Sequence, residues 1–270
     1  MADILFVTSH RFGHKMHKLY ILLSVFGLVA ANPVDIAKIN ENLLSQDAVA
    51  RNSALENLVL NLLEDLRKTM VTGSDDIPVL DPLEVDHLHL DEETLPAPSG
   101  HVTIKDLVVS RLSTFVVDTL NINTASIFPL RYRLTFDIHI PVLEVLADNY
   151  DLQISAAGVN IFGNGDAKIN LIEPRVKGEL VMGPRISIGS GIYYSITSSD
   201  VQLSLKGFQP QINGLLNDEA MSAFINIFLS HFVPEALILY EADINKFLSE
   251  TVQEVGNELL SDFNLAGILG

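Results

Sequence analysis

The sequence contains no cysteine, which excludes a thiol nucleophile and a cysteine metal site. The absence of disulfides does not prevent folding, because a chain of 270 residues is long enough to bury a large core. There is also no Asn-x-Ser/Thr sequon, so we expect no N-linked glycan.

The usual sequence motifs of catalysis are missing as well. Gly189-Ser190-Gly191 is not a Gly-x-Ser-x-Gly nucleophile elbow, and no strand-to-helix turn is predicted after it. The sequence has no phosphate loop, no dinucleotide-binding glycine pattern and no His-Glu-x-x-His. We therefore expect no enzymatic activity and no cofactor.

Basic residues are scarce, with 17 Lys and Arg against 34 Asp and Glu and a net charge of −17. A field of that sign argues against nucleic acid and against anionic membrane surfaces as partners. It also favours solubility although 48% of the residues are hydrophobic.

The N-terminus has the pattern of a secretory signal peptide. An apolar stretch from Leu19 to Ala31 follows Lys15 and Lys18, and small residues precede Asn32. Residues 1–31 are therefore predicted to be a signal peptide, with residues 1–15 as an upstream extension if Met16 is the true start. The stretch is shorter than the ~20 residues of a membrane-spanning helix, and we expect no other span and no stable membrane insertion. Residues 32–270 are predicted to form a single secreted, extracellular domain.

The domain begins with a helical pattern over residues 35–72, which ends near Gly73. An extended segment with two prolines follows at Ile77–Leu83, and Asp91–Gly100 is predicted to be a loop. From His101 to Phe208 the period changes to two, most clearly between Leu130 and Ile140. This alternation is typical of antiparallel strands with one apolar face. Residues 162–166, with Gly163 and Gly165, are predicted to form a hairpin turn.

The last segment, Asn217–Phe263, is a long helical stretch with apolar residues every three or four positions. Pro234 is predicted to open a second helix after a kink or break. The predicted fold class is therefore α+β: a strongly curved antiparallel sheet wrapped around an N-terminal helix and a long C-terminal helix, in an elongated single domain. Such a wrap leaves room for an apolar slot between helix and sheet.

The element order and Asp76-Ile77-Pro78-Val79-Leu80-Asp81-Pro82-Leu83 resemble the tubular lipid-binding (TULIP) superfamily. Within it the sequence is similar to the arthropod juvenile-hormone-binding/takeout family and to the group-seven mite allergens. It departs from the hormone-binding family in lacking the N-terminal Cys pair and in having Asp76 where that family has Gly, which moves the likeness toward the allergens.

The resemblance implies a secreted carrier of a hydrophobic small molecule, such as a fatty acid, a terpenoid or another lipid, in an apolar tunnel. The alternative is an interaction, innate-defence or surfactant-type protein of the same fold without a small-molecule ligand, and a protein partner or receptor is left open. The apolar residues predicted to line the tunnel are Leu58, Leu62, Leu66, Leu134, Phe136, Ile138, Leu152, Ile154, Leu203, Leu205, Phe228, Phe232, Tyr240 and Phe247.

Three other groups of side chains allow a specific role and an ordinary one. Phe224, Phe228 and Phe232 either line the slot or pack as core. Four tyrosines either orient a polar head group or are plain surface or core residues; they are Tyr132, Tyr150, Tyr194 and Tyr240. His87 and His89 have a spacing compatible with zinc, but two such ligands occur often by chance, so no metal is expected.

Overall fold

The computed structural model describes residues 48–74, 77–90, 99–156, 159–187 and 191–261. The predicted signal peptide, residues 35–47 of the predicted helical pattern and Ser190 lie outside the described residues.

The first helix, α1, spans Ala48–Thr72, and its apolar stripe includes the buried Leu55, Leu66 and Met70. It ends as predicted at Gly73, which has a φ of 69° and whose N–H donates to the Thr69 carbonyl at 2.7 Å. The last carbonyl groups of a helix have no intrahelical donor, and a glycine in the left-handed conformation lets the N–H groups that follow the helix donate to them.

The segment that carries the family resemblance connects α1 to the sheet. Ile77 and Leu80 are buried against the end of α1. The Asp81 carboxylate accepts hydrogen bonds from the backbone N–H of Arg111 at 2.7 Å and of Ser113 at 2.8 Å. Arg111 precedes a short 3-10 turn, Leu112–Thr114, and Ser113 lies inside it, so Asp81 fixes this turn to the start of the first strand.

Seven antiparallel strands form one sheet. They are β1 (Leu83–Leu90), β2 (Ser99–Ser110), β3 (Val116–Ile127), β4 (Leu130–His139), β5 (Val142–Ala156), β6 (Val159–Ser187) and β7 (Gly191–Ile212). The alternation of Leu130–Ile140 is confirmed, since Tyr132, Leu134 and Phe136 are buried and Arg131 and Arg133 are exposed.

One turn prediction is wrong, and one loop prediction changes at its end. The chain does not turn at residues 162–166, because β6 runs through them while pairing with β5. Gly163 and Gly165 instead let another backbone segment approach, as described below. The predicted loop at Asp91–Gly100 ends earlier, because Ser99 and Gly100 already pair with β5.

The sheet divides into two halves along the 29-residue strand β6. In the first half, β1, β2 and β5 lie beside residues 159–172 of β6. In the second half, β3 and β4 lie beside residues 175–182. β7 pairs with the other side of β6 from Ala167 to Ser187, and so reaches from the end of the first half along the whole second half. The pairing of β6 with β7 is interrupted at Glu173, whose φ is 49°. β6 therefore changes direction between the two halves.

The C-terminal stretch forms two helices, α2 (Glu219–Leu239) and α3 (Glu241–Ser261). The break predicted before Pro234 is wrong: Pro234 lies inside α2, and the helices separate at Tyr240. Pro234 lacks an N–H and so removes only the bond to the Ser230 carbonyl. Tyr240 has a φ of −104°, and its carbonyl accepts from the N–H of Ile244, so α3 starts without a loop.

Side chains of α2 and α3 bind the free edge of β7. Asn226, Asn245, Ser249 and Asn257 accept hydrogen bonds from the backbone N–H groups of Ile212, Leu203, Val201 and Ile196, at 2.7 to 3.1 Å. Asn245, Ser249, Gln253 and Asn257 are four residues apart, which places them on one side of α3. The edge strand is thus covered by a helix that supplies polar partners.

α1 covers the opposite edge of the second half in the same way. The Glu56 carboxylate accepts from the N–H of Ile122 in β3 at 2.7 Å. Leu55 of α1 and Val252 and Val255 of α3 belong to one buried cluster with Ile122, Phe136 and Val201. The second half of the sheet therefore curls around a filled core, as the predicted fold class requires.

Candidate functional site

α2 has one side that packs on β7 and another that does not. Asn226 makes two hydrogen bonds to Ile212, each of 3.0 Å, and Ser222 is buried with its hydroxyl donating to the Leu215 carbonyl. Ile225, Leu229 and Val233 follow on this side and are half-buried. These contacts fix the rotation of α2 about its axis.

The opposite side of α2 is apolar and exposed; we call it the outer stripe, defined by Met221, Phe224, Ile227, Phe228 and Phe232. Phe224 and Ile227 are 63% and 65% exposed, and the Phe228 and Phe232 rings stack with centroids 5.1 Å apart. No Asp, Glu, Lys or Arg occurs from Ala220 to Pro234. Such an uncharged exposed surface is typical of a binding site.

α2 is also the one helix among the described residues that is long and apolar enough to span a membrane, by length and composition alone. The expectation of no further stretch of that length is therefore wrong. The core helix of a soluble protein can have the same length and apolar composition, but such a helix is mostly buried. The outer stripe of α2 is exposed.

A second apolar surface lies on the first half of the sheet; we call it the apolar sheet face. The register places Leu90, Val102, Leu152 and Gly163 side by side, and Ile154 beside Ile161. Directly paired residues point to the same face. Leu90, Val102, Leu152 and Ile154 are half-buried and Ile161 is 42% exposed, so other described parts of the protein cover this face incompletely.

The start of α2 is attached to this same face. The chain between β7 and α2 runs close beside Gly163, which forms a β-bridge with Leu215; an added Cβ there would lie 2.6 Å from the Gly214 carbonyl oxygen and 2.9 Å from the Leu215 Cα. The Tyr150 hydroxyl donates to the Asn213 carbonyl at 2.6 Å. Since Leu215 pairs with Gly163 and Gly163 with Leu152, the buried Leu215 lies on the apolar side of the sheet, four residues before α2 begins.

Tyr150 therefore anchors the chain between β7 and α2 to strand β5. The sequence allowed this tyrosine either to orient a polar head group or to be an ordinary core or surface residue, and the contact corresponds to the second role. Burial and the charge of Asp166 raise the pKa of the Tyr150 hydroxyl, so it remains a hydrogen-bond donor at neutral pH. Tyr132 and Tyr194 are buried in the core of the second half, and Tyr240 is 44% exposed where α2 ends.

The predicted lining residues fall into three groups. Leu152 and Ile154 lie on the apolar sheet face, and Phe228 and Phe232 on the outer stripe. Leu66, Leu134, Phe136 and Ile138 lie in or against the buried clusters. The rest are dispersed: Leu58 and Leu62 are half-buried on α1, Leu203 and Leu205 are half-buried on β7, and Tyr240 and Phe247 are exposed at and after the helix break.

Other members of the outer stripe were not among the predicted lining residues. Met221 and Ile227 continue the spacing of Phe224 and Phe228 by three or four residues, and this spacing is visible in the sequence. What the sequence does not show is that α2 has two apolar sides and that only one packs on β7.

A separate pocket of about 320 Å³ lies between α1 and the start of β3. Its walls are Leu60, Leu63, Glu64, Arg67, Phe115, Val116 and Val117. The Arg67 guanidinium lies 4.5 Å from the centre of the Phe115 ring and donates to the carbonyls of Ser113 and Phe115 and to Glu64. These contacts occupy the arginine, and the pocket contains none of the predicted lining residues.

The histidines form no metal site within the part of the chain that the structure describes. His89 stacks on His101 with ring centroids 6.2 Å apart, and its Nδ1 lies 2.8 Å from the Thr103 hydroxyl. His101 lies 3.4 Å from Asp151. The register places His89 with Thr103 on the face opposite to Leu152, so this group is separate from the apolar sheet face.

This arrangement, an antiparallel sheet that curls along helices bound to its edges, is the fold of the tubular lipid-binding superfamily, as the sequence predicted. The family model described as "Haemolymph juvenile hormone binding protein (JHBP)" matches residues 24–270. The chain belongs to this family. The proposed likeness to the mite allergens stays a prediction.

Solved structures with a similar fold include the crystal structure of Epiphyas postvittana Takeout 1, at 18% identity and a TM-score of 0.46, with 76% of this chain and 92% of that chain covered. Another is the crystal structure of lipopolysaccharide binding protein, at 9% identity and a TM-score of 0.33, with 77% of this chain and 39% of that chain covered. No curated protein matches this sequence.

Proposed function

We propose that this protein is a secreted carrier of a hydrophobic small molecule of the fatty-acid or terpenoid type. The observation that carries the proposal is the uncharged outer stripe of α2, which begins on the same side of the sheet as the incompletely covered apolar sheet face. The description of the family, a juvenile hormone binding protein of haemolymph, supports an apolar ligand. The signal-like N-terminus supports secretion.

Affinity in such a site comes from burying apolar surface, at about 25 cal/mol per Å². The ligand would contact Phe224, Ile227 and Phe228 on one side and Leu152 and Ile154 on the other. The predicted residues that lie in the buried clusters, such as Leu134 and Phe136, would support the fold rather than touch the ligand.

The test is titration of the delipidated protein with a fluorescent long-chain fatty acid and displacement by a terpenoid. The double variant Phe224→Ser/Phe228→Ser should bind at least about ten-fold more weakly, since each lost aromatic contact is worth roughly 1.5–3 kcal/mol. Both side chains are exposed, so the thermal unfolding midpoint should stay unchanged.

The matched control is Ile127→Ser/Phe128→Ser, which removes two exposed apolar side chains from the second half of the sheet. This variant should bind the fatty acid like the wild type. Equal binding by all three proteins would contradict the placement of the site. No binding of either ligand by the wild type would favour the alternative, an interaction protein of the same fold.

A further inference from the structure

The hairpin between β3 and β4 ends in an apolar tip. Ile127 is 83% and Phe128 98% exposed, and Pro129 beside them is exposed as well. These are the highest exposures among the large hydrophobic side chains of the described residues. Two bulky side chains kept in water at the end of a rigid hairpin indicate a contact surface.

Three arginines lie beside this tip on one face of the sheet. Arg133 pairs with Val181 in the β4–β6 register, and side chains two residues further along each strand return to the same face. Arg131 and Arg185 therefore share the face of Arg133. An added Cβ on Gly183 would lie 3.2 Å from the Arg131 Cγ, so the arginine side chain passes over this glycine between the two strands.

The strand segments at this end contain no acidic residue of their own. Residues 119–136 and 180–199 contain no Asp or Glu, in a chain that has 34 of them. Arg133 makes an ion pair with Glu179 at 3.0 Å. Arg131 and Arg185 are exposed and have no ion-pair partner among the described residues. The sheet face that carries the three arginines is therefore locally basic, although the protein has a net charge of −17.

We propose that this end of the protein docks on an anionic lipid bilayer. Ile127 and Phe128 enter the boundary between headgroups and acyl chains, and Arg131 and Arg185 bind the acidic headgroups. The apolar tip alone would fit any bilayer, and the arginines select the anionic one.

From the net negative charge of the chain we expected that anionic membrane surfaces would not be partners. Screening by salt favours docking in spite of the net charge, because charges interact over only about 8 Å at physiological ionic strength. A bilayer in contact with the tip therefore experiences the nearby arginines much more strongly than the acidic remainder. The proposal does not depend on the carrier function, since it concerns other residues in the other half of the sheet.

Co-sedimentation with vesicles at about 0.1 M salt tests the proposal. The full chain should bind vesicles of phosphatidylcholine with phosphatidylserine and bind pure phosphatidylcholine at least five-fold more weakly. Ile127→Ser/Phe128→Ser should lower the partition coefficient on the anionic vesicles at least about ten-fold. Arg131→Gln/Arg185→Gln should lower it roughly five-fold per arginine and leave the weak binding to phosphatidylcholine unchanged.

Phe224→Ser/Phe228→Ser is the matched control and should bind the anionic vesicles like the wild type. Equal binding to both kinds of vesicle, no binding to either, or equal loss in the tip and α2 variants would overturn the proposal. The tip variant Ile127→Ser/Phe128→Ser is the test in this assay and the control in the fatty-acid titration, and the α2 variant Phe224→Ser/Phe228→Ser has the reverse roles. Failure of membrane docking is therefore distinguishable from failure of ligand binding.

Discussion

Gly163 and Gly165 show at the scale of single residues why α2 begins where it does. The chain leaving β7 runs very close beside their α-carbons, with Gly214 and Leu215 next to Gly163. Gly163→Ala should lower the free energy of unfolding by about 1–3 kcal/mol, because a methyl group there forces the backbone apart. Urea unfolding followed by circular dichroism measures the change.

Gly207 in β7 is the control for this substitution. An added Cβ would meet the Ile172 side chain at 3.4 and 3.5 Å, which is ordinary van der Waals contact. Gly207→Ala should therefore change stability by less than about 0.5 kcal/mol. An equal effect of the two substitutions would contradict the close approach at Gly163.

The sequence could show that residues 162–166 are unusual but not why. Two glycines around an asparagine favour a turn when only neighbouring residues are considered. Here a contact with residues some 50 positions later requires the glycines, and local propensity contains no information about such a contact. Tyr150 is similar, since its partner, the Asn213 carbonyl, is also distant in sequence.

At the scale of elements, the polar row of α3 holds the edge of β7. Ser249→Ala and Asn257→Ala should each cost about 1 kcal/mol, because each removes the partner of a strand N–H. Glu250→Ala, on the exposed side of the same helix, should cost almost nothing. Hydrogen exchange should become faster at Val201 in the Ser249 variant and at Ile196 in the Asn257 variant; unchanged exchange would argue against edge binding.

A network of charges stabilises the region where β6 changes course between the two halves. Arg175 contacts Asp118 at 2.8 Å, Asp137 at 2.6 Å and Glu173 at 3.2 Å, and Lys206 contacts Glu173 at 3.0 Å. Hydrogen bonds from Lys206 and Arg175 hold the pKa of Glu173 below its usual 4.5. Partial burial would raise the pKa of Asp118, but hydrogen bonds and the charges of His139 and Arg175 lower it below 3.8.

These shifts predict a loss of stability in acid. A carboxyl with a lower pKa in the folded state binds fewer protons there, so its stabilising effect is complete above the unfolded value and disappears as pH falls through the folded one. The urea midpoint should thus be flat from pH 6 to 5 and fall below about 4.5. Asp118→Asn/Glu173→Gln should be less stable at pH 6 and approach the wild type at pH 3.

Glu250→Gln changes a carboxyl without an ion pair among the described residues and serves as the control. Its midpoint should follow the wild type over the whole range. If Asp118→Asn/Glu173→Gln lost stability in acid as steeply as the wild type, carboxyls other than Asp118 and Glu173 would dominate the loss of stability.

The helices illustrate how much of an element the sequence determines. The spacing of apolar residues predicted α1, its end at Gly73 and the helical character of residues 217–263. It did not predict that Pro234 stays inside α2, because tertiary contacts to β7 outweigh one lost hydrogen bond. For the same reason it could not show which apolar side of α2 is exposed.

At the scale of the whole molecule, the two halves of the sheet differ in what covers them. The second half encloses a core of Leu55, Phe136, Val201 and Val252, contributed by both edge helices and the sheet. The first half presents Leu152 and Ile154 without complete cover, and α2 begins beside it. The stable half would hold the fold while the other half binds ligand, which places the two proposed contacts in different halves.

The overall composition did not predict how charge is distributed over the molecule. The net charge of −17 is an average, and it conceals an end with Arg131 and Arg185 and no acidic residue in its strands. The alternation in residues 130–140 did place the arginines on the wet face of β4. Their proximity to Arg185 needed the register of β4 with β6, which the sequence alone does not determine.

The central claim is that the protein carries an apolar ligand, and native mass spectrometry tests it most directly. Protein secreted from eukaryotic cells would be measured before and after extraction with organic solvent. The account predicts a bound mass of a few hundred daltons that disappears on extraction and is strongly reduced in Phe224→Ser/Phe228→Ser. A wild-type protein that is empty when isolated, and that takes up neither fatty acid nor terpenoid when these are added, would contradict the account.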